Sequence, residues 1–242
     1  MIVPESWNGI THGNGRWVAV GDNGTMAHSD DGITWSQITV GDRNWRDISY
    51  GNGRFIAVGG SNRIMYSTNG INWSFVNFTG LWSGITYGNR RWVVVGDNSR
   101  TAYSDNGINW IQINVSNWNW NAVTYSNGRW VMVGEGGLMA HSTDGIGWFP
   151  MVVGGMEWSD ITYGNGRWVA VGENGRIAHS TTVLNWSQVT VGTESWSSVT
   201  YGNGRWIAVG TNGRMAHSTD GINWNQITVG TENWRGVFSV SN

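Results

Sequence analysis

One tryptophan recurs along the chain at an almost constant interval, and this interval constrains the fold more than any other feature. The recurring residues are Trp7, Trp45, Trp82, Trp120, Trp158, Trp196 and Trp234. Successive members are 38, 37, 38, 38, 38 and 38 residues apart. A fixed period of this size is typical of repeat architectures, in which each copy buries its apolar faces against its neighbours. The chain therefore contains six similar repeats and a seventh copy of the repeat's first segment.

Each repeat contains four short segments with the character of β-strands. In the first repeat these are residues 7–12, 16–21, 25–29 and 33–40, which are rich in β-branched and aromatic side chains. The segments are separated by Asn14-Gly15, Asn23-Gly24 and Asp31-Gly32. Such dipeptides favour tight hairpins, because both central residues of a type I′ turn need positive φ. No segment shows a sustained helical period.

Six copies of such a unit predict an all-β, six-bladed β-propeller. Four consecutive antiparallel strands form one blade, and a blade can bury both faces only by packing between two others around an axis. We expect a single domain over residues 1–242, with 37–38-residue repeats beginning near the first six of the recurring tryptophans. The extra copy at residues 234–240 predicts that N- and C-terminal segments pair in one blade and close the ring. A domain-swapped dimer is the alternative use of that strand.

Composition argues against several classes of protein. The net charge is −2, all 14 basic residues are arginine, and no repeat carries a basic cluster, so we expect no nucleic-acid partner. Cysteine is absent, which excludes disulfides and thiolate metal sites. No apolar run reaches the length of a membrane helix, and the first residues lack the pattern of a signal peptide. These features leave the cellular location open.

The turn between the third and fourth strands carries a family resemblance. Its copies read Ser29-Asp30-Asp31-Gly32 with Trp35, Ser67, Asn69 and Gly70 with Trp73, Ser104, Asn106 and Gly107 with Trp110, Ser142, Asp144 and Gly145 with Trp148, and Ser218, Asp220 and Gly221 with Trp224. The fifth copy, from Ser180 to Trp186, has lost the Asp and the Gly. This pattern resembles the Asp-box turn of BNR, or sialidase-like, propellers, with one residue fewer in the spacing. The GNGRWVAVGDNG stretch is also similar to the repeats of photosystem-assembly propellers and of many bacterial and phage proteins.

The resemblance implies an orientation for each blade. In Asp-box propellers the first strand is innermost, the Asp-box turns lie on one face, and ligands bind on the opposite face. By that likeness, the second-to-third turns and the loops before each leading tryptophan share the ligand face.

Catalytic and metal chemistry are not expected. Sialidase-type catalysis needs singular charged groups on special loops, whereas the Arg, Tyr and Asp residues here recur at fixed repeat positions. Retaining glycosidases need two carboxylates about 5 Å apart in a cleft, and no unrepeated pair is evident. The histidines His28, His141, His179 and His217 share one repeat position, so they lie a blade apart, too far to ligate one ion. We therefore expect no enzyme activity, no metal and no cofactor.

The sequence favours a multivalent, carbohydrate-binding protein of the lectin or adhesin type. Aromatic rings stack on sugar faces and charged groups bind their hydroxyls, and repeated weak sites gain avidity. The candidate ligand-binding residues are Arg63, Arg100, Arg176, Arg214, Glu194, Glu232, Trp45, Trp82, Trp158, Trp196 and Trp234. They resemble the sites of propeller lectins only loosely, since no lectin motif matches residue by residue. The predicted partners are glycans or glycoconjugates.

Other functions fit the same pattern. The first alternative is a protein-binding or structural scaffold propeller of a phage or secreted assembly, or an engineered repeat protein. A glycosidase is the third reading. Interblade ion pairs would equally explain the Arg and Glu residues, since each such surface pair contributes about 0–1 kcal/mol.

Overall fold

The computed structural model describes residues 6–60, 62–115 and 117–239, which form an all-β propeller of six four-stranded antiparallel blades. This confirms the predicted fold class. Blade 1 contains β1 (Trp7–Gly13), β2 (Arg16–Gly21), β3 (Thr25–Ser29) and β4 (Ser36–Thr39). Blade 2 contains β5 (Trp45–Gly51), β6 (Arg54–Gly59), β7 (Arg63–Ser67) and β8 (Ser74–Asn77). Blade 3 contains β9 (Trp82–Gly88), β10 (Arg91–Gly96), β11 (Arg100–Ser104) and β12 (Ile111–Asn114).

The other three blades repeat this order. Blade 4 contains β13 (Trp120–Ser126), β14 (Arg129–Gly134), β15 (Leu138–Ser142) and β16 (Phe149–Val152). Blade 5 contains β17 (Trp158–Gly164), β18 (Arg167–Gly172), β19 (Arg176–Ser180) and β20 (Ser187–Thr190). Blade 6 contains β21 (Trp196–Gly202), β22 (Arg205–Gly210), β23 (Arg214–Ser218) and β24 (Asn225–Thr228). Short 3₁₀ turns occur at Asp22–Gly24 and Glu135–Gly137.

The hairpins have the predicted turn chemistry. In blade 1 the β1–β2 turn places Asn14 at φ 51° and Gly15 at φ 72°, the left-handed conformations that a type I′ turn requires. The register then follows strictly, with Ile10 opposite Ala19 and His12 opposite Trp17. A register shift separates the leading tryptophan from the rest of each first strand, as between Trp7 and Gly9. This shift makes the first strand bend at the point where it enters the ring.

The core lies between blades rather than inside them. Val18, Val20 and Met26 of blade 1 pack against Trp45 and Phe55 of blade 2, and the same arrangement recurs between each later consecutive pair up to blades 5 and 6. The second strand alternates, so that its valines face the following blade while its aromatic residue and alanine face the preceding one. First strands of consecutive blades are in contact from β1 to β21, which places them around the axis.

The turn between the third and fourth strands is held by side-chain bonds. In blade 6 the Asp220 carboxylate accepts bonds from the Ser218 hydroxyl and from the backbone N–H groups of Ile222 and Asn223, at 2.9, 2.8 and 2.8 Å. Asn69 and Asn106 accept the equivalent bonds in blades 2 and 3. These bonds occupy the chain just after the turn, so the fourth strand begins later than the sequence predicts, at Ser36 rather than at residue 33.

The C-terminal segment forms no strand of a sheet among the described residues. β1 is the inner strand of blade 1, and Trp234–Ser239 joins none of the six sheets. The segment lies instead between blade 6 and blade 1, and closure by pairing of the two termini in one sheet is not seen among residues 6–60, 62–115 and 117–239. Residues 1–5 of the N-terminal segment and residue 240 of the predicted closing strand fall outside the described residues, so the predicted pairing of the termini stays a prediction.

Candidate functional site at the central channel and its open junction

A channel runs along the axis, and its wall comes from two consecutive positions of each first strand. A cavity of about 680 Å³ includes this channel. The wall pairs are Asn8 and Gly9, Arg46 and Asp47, Ser83 and Gly84, Asn121 and Ala122, Ser159 and Asp160, Ser197 and Ser198, and Arg235 and Gly236. The last pair belongs to Trp234–Ser239, so seven segments surround the channel although six four-stranded blades are described. The wall is polar with small residues, which lets neighbouring first strands approach closely.

Two aspartates of the wall connect neighbouring blades. The Asp47 carboxylate accepts the N–H groups of Ile48 and Ile85, each at 2.8 Å, and Ile85 belongs to the next blade. Asp160 accepts the Val199 N–H at 2.9 Å and the Ser198 hydroxyl at 2.8 Å. Burial raises the pKa of Asp47 to about 7, and it raises the pKa of Asp160, although the bonded N–H groups act in the opposite direction. Sequence reasoning missed both residues, because glycine, alanine or serine fills this position elsewhere.

Carboxylates also line the rim of the channel on blades 4 and 5. Glu157 accepts a bond from the Asn121 amide at 2.7 Å, and Glu135 accepts one from Asn119 at 2.9 Å. Burial, together with the nearby charges of Glu173 and Glu135, raises the pKa of Glu157. The second-to-third turns and the loops before the leading tryptophans meet here, as the Glu173 N–H to Glu157 carbonyl bond of 3.1 Å shows.

Two arginines occupy equivalent places on the opposite part of the wall. Arg46 lies 3.2 Å from the Ser83 hydroxyl and 3.6 Å from the Asp97 carboxylate of the next blade. Arg235 lies 3.1 Å from the Asn8 side chain and 3.7 Å from the Asp22 carboxylate of blade 1. The channel mouth is therefore acidic at blades 4 and 5 and carries arginines at blade 2 and at the C-terminal segment.

The junction between blades 6 and 1 is open. Trp7 and Trp35 of blade 1 are 40% and 38% exposed, whereas the other five tryptophans that begin a blade are at most 1% exposed. Trp234 and Phe238 of the C-terminal segment are 38% and 44% exposed. The cavity extends from the channel into this opening, where Ala19, Ala27 and Trp35 line it. Trp7 and Trp234 thus expose to solvent the ring position that is buried in the other five blades.

The predicted arginine column is held mainly within its own blades. Arg100 donates to the Thr79 carbonyl at 2.8 Å, Arg176 to the Gln188 side chain at 3.1 Å, and Arg214 to the Thr228 hydroxyl at 2.7 Å. The Arg63 guanidinium stacks 4.2 Å from the centre of the Phe75 ring. These contacts fix the guanidinium groups on the outer strands, away from the channel wall.

Most of the tryptophans predicted to stack on sugars are buried between blades. Trp45, Trp82, Trp158 and Trp196 pack between blades, so no sugar ring can stack on them in this structure. Trp234 is exposed, but at the open junction. Glu194 accepts bonds from the side chains of Asn212 and Thr211 at 2.8 and 3.4 Å, and Glu232 is exposed on the loop before Trp234. The structure therefore does not assemble the eleven residues into repeated ligand sites.

The structure also bears on metals and membranes. Among residues 6–60, 62–115 and 117–239, no group of three or more His, Asp or Glu side chains is arranged to hold an ion. Within the same ranges, no helix is long and apolar enough to cross a membrane.

Comparisons with known proteins show shared architecture. No protein-family model and no curated protein matches the sequence. Many solved structures do match in fold. YCF48 from Cyanidioschyzon merolae has a TM-score of 0.75 and 14% identity, with 96% of this chain and 88% of that chain covered. YCF48 bound to D1 peptide has a TM-score of 0.75 and 20% identity, with 93% and 83% covered.

These findings correct the prediction of glycan partners, which is wrong. The molecule bound to the similar propeller is a peptide, and four of the five predicted stacking rings are buried in the present chain. At 14% and 20% identity, the likeness to the two YCF48 structures shows a shared propeller fold.

Proposed function

We propose that this chain is a non-enzymatic, protein-binding propeller that holds a segment of a partner protein at the junction between blades 6 and 1. The observation that carries the proposal is the set of exposed rings at this junction, Trp7, Trp35, Trp234 and Phe238, beside five closed junctions. Clustered exposed aromatic groups are typical of protein interaction sites, and aromatic residues dominate their binding energy.

The similar solved propeller supports this reading. YCF48 has been solved bound to D1 peptide, so a propeller of similar fold can bind a peptide. The carboxylates that a hydrolase would need are engaged in structural bonds here, as Asp47, Asp160 and Glu157 are. A role in binding therefore fits the channel better than a role in hydrolysis.

We also propose that the chain is an Asp-box, or BNR-type, propeller. The support is the bonding of its third-to-fourth turns, in which one serine and one aspartate or asparagine satisfy several backbone N–H groups. The fifth copy follows the same plan with the Thr182 hydroxyl in place of the carboxylate, since it accepts the N–H groups of Leu184 and Asn185 at 3.2 and 3.4 Å.

A displayed library of random peptides, panned against the immobilised full chain, tests the binding function. We expect enrichment of apolar peptides, and we expect the double variant Trp35→Ser, Phe238→Ser to bind them about tenfold more weakly or worse, because the aromatic anchors are lost. Ile111→Ser is the matched control, since Ile111 is exposed on β12 where Ser36 and Ser74 stand in blades 1 and 2.

Both variants are checked for folding by their thermal midpoints before binding is compared. Absence of any peptide enriched over the bare support contradicts the binding function. Enriched peptides that bind all three chains equally contradict the location at the junction.

A further inference from the structure

The loop before Trp234 has the same conformation as the loops that lead into complete blades. The Gly213 N–H donates to the Glu232 carbonyl at 2.7 Å, as Gly175 does to Glu194 at 2.7 Å. The Asn212 N–H donates to the Asn233 side chain at 2.9 Å, as Asn23 does to Asn44 at 3.0 Å. The chain therefore enters Trp234–Ser239 as it enters the first strand of a blade.

The contacts of this segment with blade 6 are those of a next blade's first strand. The Val237 N–H donates to the Ser198 hydroxyl at 3.3 Å, which matches the Ile85 N–H bonded to Asp47 at 2.8 Å. A Cβ atom placed on Gly202 would lie 2.6 Å from Ser239 Cβ, just as one on Gly164 would lie 2.1 Å from the Tyr201 ring. Each glycine gives room for the side chain of the following first strand.

The contacts with blade 1 repeat an interblade contact as well. Arg235 reaches Asn8 and Asp22 in the way that Arg46 reaches Ser83 and Asp97 of the following blade. Phe238 meets Trp17 edge-on with ring centres 5.8 Å apart. Trp234–Ser239 is therefore related to blade 1 as the first strand of blade 2 is related to blade 3.

No strand pairs with this segment among residues 6–60, 62–115 and 117–239, whereas three further strands follow the first strand in each of the six blades. The faces that such strands would cover are less buried than their equivalents. Ile207 and Met215 of blade 6 are half-buried, whereas Val18 and Met26 of blade 1 are fully buried. On the other side Trp17 is half-buried, whereas the equivalent aromatic residues of the other blades are at most 1% exposed. Both walls of the opening are thus shaped for a strand that lies between them.

We propose that an extended peptide segment of a partner protein binds in this opening as a β-strand, paired with the outer edge of Trp234–Ser239. The proposal rests on the protein-binding function and specifies how the partner binds. β-Strand addition combines main-chain hydrogen bonds with pockets for alternate side chains. The opening is continuous with the five established blade junctions, so the ligand should have the pattern of a second strand, such as Arg-Trp-Val-Ala-Val-Gly in β18.

The register of the six blades predicts the fit. In blade 1 the second strand places Gly21 opposite Trp7, Ala19 opposite Ile10 and Val18 opposite Thr11. By the same register the bound segment places its glycine opposite Trp234, its alanine opposite Val237 and its first valine opposite Phe238. The two valines then face Trp7, Trp35 and the rest of blade 1, and the tryptophan and alanine face Ile207 and Met215.

The direction of the backbone N–H groups predicts which residues of the ligand donate hydrogen bonds to the segment. The Val237 N–H points to Ser198, so the Phe238 N–H points to the other side, toward the bound strand. In an antiparallel pair, the residue opposite Phe238 exchanges hydrogen bonds with it, and the following residue directs its N–H away. The first valine of the ligand therefore donates to the segment, and the alanine does not.

Fluorescence anisotropy with a labelled copy of residues 166–172, GRWVAVG, tests this binding mode on the full chain. We expect saturable binding. Methylation of the first valine's nitrogen should weaken binding about tenfold, because one main-chain bond is lost and the added methyl group lies between the two strands. Methylation of the alanine nitrogen is the matched control, with the same added group and a change of less than about threefold.

The possible outcomes separate this mode from the wider function. If library peptides bind at the junction but GRWVAVG does not, or if both methylated forms bind equally, strand addition is overturned while protein binding stands. If no library peptide binds, the wider function fails. Light scattering is run in parallel. A dimer that protects Trp35 and Phe238 from solvent overturns a peptide ligand in favour of a second copy. Hydrogen exchange that shows Trp234–Ser239 paired with β2 overturns the proposal in favour of a self-closed ring.

Discussion

At the scale of single residues, Asp47 links ionisation to stability. Folding raises the pKa of this carboxyl from 3.8 to about 7, chiefly by burial in the channel wall. Between these values the folded chain holds a proton that the unfolded chain has released. The unfolded state therefore binds fewer protons, and the contribution of Asp47 to stability falls as pH rises across this window and is constant above about pH 7.

We expect Asp47→Ser to remove this pH dependence. Ser198 fills the equivalent position, and its hydroxyl accepts the Val237 N–H, so serine keeps a link between blades. The unfolding free energy of the variant minus that of the parent should increase by roughly 1–3 kcal/mol as the pH is raised from about 4 to about 8. Urea unfolding at each pH measures this difference. Asp105→Asn is the control of opposite sign, because Arg91 lowers the pKa of Asp105. Parallel pH curves for Asp47→Ser and the parent would contradict this assignment.

Sequence reasoning found the recurring residues but could not tell in which direction their side chains point. The repeat period identifies a recurring ring such as Trp45 or Trp196, but the same period fits both a packing residue and a surface on which a sugar stacks. The direction of the ring decides between them, and this follows from the register shift after the leading tryptophan, between Trp45 and Asp47. No local pattern specifies that shift, since Gly9, Asp47 and Ala122 all follow it.

At the scale of elements, the third-to-fourth turns depend on charge in some blades and not in others. Backbone N–H groups and a serine hydroxyl lower the pKa of Asp31, Asp144 and Asp220 below its usual range. A lowered pKa means that the turn contributes stability above the unfolded value near 3.8 and loses it as pH falls through the folded value. Asn69 and Asn106 make the same bonds without a titrating group.

The triple variant Asp31→Asn, Asp144→Asn, Asp220→Asn should therefore keep the fold and lose acid sensitivity. We expect its thermal midpoint at neutral pH to stay close to that of the parent, and to fall less as pH is lowered below about 4, where the parent's carboxylates take up protons. Thermal unfolding followed by circular dichroism at a series of pH values measures both. An equal fall for variant and parent would show that other groups control acid unfolding.

The elements themselves were largely predictable. Asn-Gly pairs fixed the hairpins because their left-handed φ angles leave few other conformations, as at Asn14 and Gly15. The fourth strand was predicted too long, because residues 33–35 alternate like a strand but bond to Asp31 instead. Side-chain competition for backbone N–H groups is invisible to periodicity.

At the scale of the whole molecule, the period predicted six four-stranded blades, and the structure has them. The period did not predict the open junction, because an extra first strand at Trp234 fits three arrangements. It could replace β1 in blade 1, pair with the N-terminal segment, or take a separate position between blades 6 and 1. Only the contacts of Arg235, Val237 and Ser239 distinguish these, and each depends on the curvature of the ring. Ring curvature sums small angles over all the junctions, so no single repeat encodes it.

The place of Trp234–Ser239 predicts the effect of adding three further strands after it in the same chain. A variant extended after Ser239 by a copy of residues 202–233 should form a seventh four-stranded blade between blades 6 and 1. Covering Trp7 and Trp35, now 40% and 38% exposed, should add about 2 kcal/mol each to the unfolding free energy. We expect a higher thermal midpoint, a blue shift of tryptophan emission and protection of the added residues from protease. An extension of the same composition in scrambled order is the control. If the true copy is digested as fast as the scrambled one and the midpoint is unchanged, the opening is not a blade position, and Trp234–Ser239 has another role in the ring.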